Sequence, residues 1–78
     1  MSVTARLFAA AAEAVGAHEI TVDANDVARL REVLGAAGES AGPVIRQCAV
    51  LVGGVRREDD HVLTEGALVD VLPPFAGG

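Results

Sequence analysis

Val3, Ala5 and Leu7 alternate with Thr4, Arg6 and Phe8 at the start of the chain. This predicts a first strand with one buried face. The Ala-rich run from Ala9 to Val15 predicts a short helix, closed by Gly16. Alternation returns from His18 to Asp23 around Ile20 and Val22, giving a second strand set antiparallel to the first by its short connection. From Asp26 the period lengthens. Val27, Leu30, Leu34 and Ala37 recur at helical spacing while Arg29, Arg31 and Glu32 fall elsewhere, and Asp26 is placed to act as N-cap. Gly35 and Gly38 mark the weakening end of this helix, and Pro43 suits the first position of a short helical turn through about Gln47.

Cys48 to Val52 is a continuous apolar run, and Gly53-Gly54 before Val55 is a two-residue hairpin signal. Arg56 to His61 reads as a charged loop, Thr64-Glu65-Gly66 as a turn, and Ala67 to Leu72 as a last strand. Val69 and Val71 share one face of that strand, with Leu68, Asp70 and Leu72 on the other. Two strands, a helix, then more strands, the last placed beside the first, make an α+β domain.

Composition narrows the function. Seventy-eight residues, 51% of them hydrophobic, make one compact domain. A core of this size supplies roughly 3–5 kcal/mol and leaves little room for a deep, walled active site. A net charge of −5 with no basic cluster argues against nucleic acid. Lysine is absent, which removes a phosphate-loop lysine, a Schiff-base lysine and any isopeptide acceptor on the chain itself. The single cysteine, Cys48, forms no internal disulfide, so a reducing cytoplasm is the expected location. No stretch approaches a membrane span. The N-terminus has a faint look of a signal sequence, but Glu13 interrupts its apolar run, and the segment is read as part of the fold.

The end of the chain carries the chemistry. Pro73 and Pro74 lack backbone donors, so the last strand must stop and the chain leaves stiff and extended. The expected division is a folded domain over 1–72 and an extended, flexible tail over 73–78. At roughly 3.3 Å per residue that tail reaches about 20 Å. Gly77 and Gly78 have no Cβ and can thread a narrow channel. A carboxylate at Gly78 is a poor electrophile until it is activated, typically as a mixed anhydride with a nucleotide phosphate. The chain offers neither phosphate-binding nor metal-binding groups, so these are expected from a partner.

These residues resemble the MoaD/ThiS family of ubiquitin-like sulfur carriers, most of all the small subunit of molybdopterin synthase, over nearly the whole chain. The similar stretches are Arg6-Leu7-Phe8-Ala9 with the Ala-rich turn, Val27 to Leu34, the Gly53-Gly54 hairpin, Leu63-Thr64-Glu65-Gly66, and Val69-Asp70-Val71-Leu72-Pro73-Pro74-Phe75-Ala76-Gly77-Gly78. Many relatives have Asn-Gly in the hairpin and an acidic Gly-Asp pair where this chain has Gly66-Ala67.

The resemblance implies a β-grasp fold, a mixed sheet packed on one main helix. It implies a chain that is no enzyme on its own and binds no cofactor. Gly78, supported by Gly77, would be adenylated by an E1-like adenylyltransferase of the MoeB type, which uses ATP and magnesium. Sulfur from a persulfide donor would then make it a thiocarboxylate. The large, MoaE-type synthase subunit would receive the tail, and the sulfur would pass to cyclic pyranopterin monophosphate. The alternatives are a carrier for thiamine thiazole, cysteine synthesis or tRNA thiolation, a ubiquitin-like protein modifier, and a plain binding domain.

Leu68 and Leu72 on the open side of the last strand, with Pro73, Pro74, Phe75 and Ala76 beyond, are the expected partner-binding residues. Two placements stay open for Phe75, free on the tail or folded back over the sheet. Cys48, with no nearby histidine, lysine or second cysteine, is expected to be a packed structural residue. His18 and His61 are expected at the surface, and no metal site is expected. Glu58, Asp59 and Asp60 read as a solvated run. Arg56 and Arg57 either blunt a sheet edge or dock an acidic patch.

Overall fold

The structure, a computed structural model, describes residues 1–74. β1 (Ser2–Leu7), α1 (Ala10–Val15), β2 (Glu19–Asp23), α2 (Val27–Gly35), α3 (Ala41–Gln47), β3 (Ala49–Val52), β4 (Val55–Arg56) and β5 (Leu68–Leu72) follow in chain order. The five strands form one sheet in the order β2-β1-β5-β3-β4. β1 and β5 run parallel at its centre, and every other pairing is antiparallel.

Strand alternation decides the faces. Val3, Ala5 and Leu7 of β1, Val50 of β3 and Val69 and Val71 of β5 are buried toward the helices. Val27, Leu30 and Leu34 of α2 meet them as one helical stripe. Asp26 caps α2 as its sequence position implies, its carboxylate accepting from the Arg29 N–H at 2.8 Å. Gly16 closes α1 with a left-handed φ of 88°, and Gly53 and Gly54 take φ of 59° and 82° in the β3–β4 hairpin. Both glycines are therefore in the conformation that a tight hairpin demands.

Three helix ends differ from the sequence reading, the first being α1, which starts at Ala10 with Ala9 outside it as N-cap. α2 stops at Gly35 and Ala37 is exposed, because the chain must turn there to bring α3 against α2. α3 starts two residues before Pro43, which is its third residue. A first-turn N–H has no partner within the helix, so proline costs no hydrogen bond there. The sheet thus packs on α2 together with α3 and α1. Arg31 ties these parts: Nη1 donates to the carbonyls of Ile45 and Cys48 at 2.8 and 2.9 Å, and Nε donates to Asp59 at 2.8 Å. Among the described residues, no helix is long and apolar enough to cross a membrane.

The turn between α2 and α3 is tightly set against α1. A Cβ on Gly38 would run into the carbonyl oxygen of Ala14. Gly38→Ala is expected to lower stability by about 1–3 kcal/mol, read as an earlier urea midpoint. Leu30→Ala, at a position with no exposure, is expected to cost about 2–5 kcal/mol, enough to abolish a cooperative thermal transition in a domain of this size.

Candidate functional site

Of the eight residues expected to form the site, the structure places four. Phe75, Ala76, Gly77 and Gly78 lie outside the described residues. Leu68, Leu72, Pro73 and Pro74 are brought together at the end of β5. β5 ends at Leu72, and neither proline joins a strand.

Leu68 is 44% exposed and Leu72 is half-buried, both on the side of the sheet away from the helices. Register sets Leu68 opposite Thr4 and Leu72 opposite Ala49. Between them Asp70 faces Arg6, with Nε 2.6 Å from Oδ1 and Nη2 3.0 Å from Oδ2. That pairing holds the Arg6 guanidinium even more firmly protonated than usual. Phe8, one residue past β1, is a further exposed apolar group near the end of β5. It is 40% exposed, and its N–H donates to the Val71 carbonyl at 3.2 Å, one residue before Leu72. Phe8 belongs with the candidate partner-binding residues, and the signal was present in the sequence: an aromatic side chain at a strand position of polar parity.

The prolines meet the other layer. Pro73 and Pro74 line an apolar groove of about 180 Å³ with Ala10, Pro43, Val44 and Gln47. Pro73 and Pro74 thereby share a groove with residues of α1 and α3 just beyond the end of β5. A larger depression of about 500 Å³ lies between α2 and α3, but its Arg31 is committed to Asp59 and to backbone carbonyls. No group of metal-ligating side chains occurs among the described residues. The described part of the site positions and presents; it contains no residue arranged to activate a carboxylate.

The remaining candidates settle into structural places. Cys48 is buried, its Sγ 3.2 Å from the Val44 carbonyl. Burial pushes its thiol pKa up, with the Arg31 cation acting partly against it. His18 is exposed as expected, whereas His61 is half-buried, because its segment is drawn in by the Val27 N–H, which donates to the His61 carbonyl at 3.1 Å. Asp59 is more than a solvated charge, since it holds Arg31. Arg56 lies on the edge strand β4, and both Arg56 and Arg57 are exposed.

The profile of the ThiS family matches residues 5–78. The chain belongs to the ThiS family. None of the curated proteins matches by sequence. The small archaeal modifier SAMP1 of Haloferax volcanii has the same fold at 24% identity, covering 100% of each chain with a TM-score of 0.83. A Pyrococcus furiosus protein described as molybdopterin converting factor, subunit 1, superposes with a TM-score of 0.85 at 21% identity, covering 95% of this chain and 98% of that one. A chain from the complex of subunits 1 and 2 of molybdopterin-converting factor of Helicobacter pylori is 25% identical, with a TM-score of 0.74 and 100% of both chains covered. The fold of this ThiS-family chain is the ubiquitin-like β-grasp.

Strain sits beside the tail root of this ThiS-family domain. Ala9, the N-cap of α1 between Phe8 and the groove residue Ala10, has φ 50° and ψ −123°, a region that favours glycine. Ala9→Gly is expected to raise stability by about 1 kcal/mol after allowing for the extra freedom of glycine in the unfolded chain, read as a higher melting temperature. Cys48 is expected to resist iodoacetamide at neutral pH in the native protein and to react promptly once denaturant exposes it.

Proposed function

We propose that this chain is the sulfur-carrying small subunit of a molybdopterin synthase, a substrate and subunit with no catalysis of its own. Its ThiS-family match, which runs through to Gly78, carries the reading. Further support comes from Leu72-Pro73-Pro74, which ends the central strand and starts the tail. The likeness to a chain of the H. pylori complex of subunits 1 and 2 favours the molybdopterin branch.

The chemistry belongs to the Gly78 carboxylate. An E1-like adenylyltransferase supplies ATP, magnesium and the groups that hold them. A carboxylate oxygen attacks the α-phosphorus, pyrophosphate leaves, and the resulting acyl adenylate is electrophilic at carbon. The terminal sulfur of a persulfide donor attacks that carbon and AMP departs, leaving an acyl disulfide. A thiol then cleaves the S–S bond, giving the thiocarboxylate and a new disulfide. In the large synthase subunit the thiocarboxylate sulfur bonds to a carbon of cyclic pyranopterin monophosphate as an oxygen substituent departs, and water cleaves the resulting thioester to return the Gly78 carboxylate. The Gly77-Gly78 end lets both partners approach the backbone closely. Leu68, Leu72 and Phe8 provide the apolar docking strip, while Pro73, Pro74, Phe75 and Ala76 provide the grip on the tail.

Incubation with the E1-like enzyme, ATP and a persulfide donor is expected to add the mass that corresponds to exchanging one oxygen for sulfur. Deleting Gly78, or extending the chain beyond it, is expected to abolish that change. An extended, untrimmed chain that still transfers sulfur would overturn the reading. Larger covalent conjugates on denaturing gels, with no thiocarboxylate, would instead indicate a protein modifier, and co-purification with a thiazole synthase would indicate the thiamine branch.

A further inference from the structure

The sheet register sets Glu19, Arg6, Asp70, Leu51 and Arg56 in one rank across all five strands. At its centre the two-pronged Arg6–Asp70 pair cancels its own charge. Leu68 lies on one side of that rank along β5 and Leu72 on the other. Any surface that covers both leucines must therefore also cover the ion pair. There the pair matters more than it does in water, because a desolvated charge or donor must find a partner.

The two halves of the pair are not equally satisfied. Both carboxylate oxygens of Asp70 accept from Arg6, whereas Nη1 and the second N–H of Nη2 have no acceptor among the described residues. Against hydrocarbon, that Nη1 would be an orphaned donor. A further carboxylate is poorly suited to meet it. Asp70 already balances the guanidinium, Glu19 lies directly across from it on β2, and the whole chain carries a charge of −5. A neutral oxygen satisfies the hydrogen bond without adding like charge.

We propose that the Arg6–Asp70 pair is the specificity-determining element of the docking face. It is buried whole, as a neutral unit, under a partner that offers a backbone or amide carbonyl to Arg6 Nη1. Counterfaces that are purely apolar or acidic at that point are rejected. The inference rests on the reading of this chain as the small subunit of molybdopterin synthase.

The test is calorimetric affinity for the large synthase subunit of the same organism, with thiazole synthase as the competitor. The protein, Arg6→Leu, Asp70→Leu and the Arg6→Leu/Asp70→Leu double variant are compared, and thermal melts establish that each is folded. Each single variant is expected to lose roughly tenfold or more for the large subunit, because the charge left behind is buried unpaired. The double variant is expected to regain part of that affinity, the rest staying lost because the partner's carbonyl is left without its donor, while its preference over thiazole synthase narrows by a similar factor. If all variants bind like the original, the pair lies outside the footprint, and the proposal fails while the sulfur-carrier reading stands. Loss without recovery in the double variant, or recovery with preference intact, also overturns it. If the unaltered protein binds neither enzyme, the underlying reading fails and takes this proposal with it.

Discussion

The parallel pairing of β1 with β5 is the constraint on which the rest of this molecule depends. It joins residues from the two ends of the chain at the centre of the sheet, Thr4 to Leu68 and Leu7 to Val71. Closing so long a loop costs chain entropy before any local contact can repay it. The repayment comes from burial: Val3, Ala5 and Leu7 join Val69 and Val71 over Leu30 and Leu34 in one apolar layer. The same pairing draws Phe8 to Val71 and Arg6 to Asp70. A single ladder thus closes the core and builds the surface around the end of β5.

This arrangement matches the economy of a small carrier. A domain of this size cannot both stabilise itself and wall off a reactive centre. The described residues hold no metal cluster, and the one cysteine is spent on packing. What the fold provides is a strand that ends at Leu72, two prolines that share a groove with α3, and leucines on either side of a neutralised ion pair. The strained Ala9 lies between the strip and the groove, where a backbone distortion turns the chain from β1 into α1.

Much of the fold was legible in the chain because its signals are local. The alternation in β1 and β2, the cap at Asp26, the glycine closing α1 and the Gly53-Gly54 hairpin each stand where their chemistry places them. Where the reading missed, distant contacts had prevailed over local pattern. Ala37 continues a helical period, but the chain turns before it so that Gly35 can approach Gly42. Asp59 sits in an acidic run typical of solvated loops, yet Arg31, 28 residues away, holds it. His61 is drawn half inside because its loop hydrogen-bonds to the start of α2.

The sequence by itself determined which faces of β1, β2 and β5 are apolar, that α2 begins behind Asp26, and that the last strand stops at Pro73-Pro74. These follow from side-chain periodicity and from backbone restrictions that act over a few residues. Tertiary structure alone decided that Arg6 faces Asp70, that Phe8 lies beside the end of β5, and that the prolines share a groove with α3. The first two depend on register between β1 and β5, strands about sixty residues apart in the chain, where a shift of one residue would have turned each side chain to the opposite face, and the third depends on where that register ends β5 relative to α3.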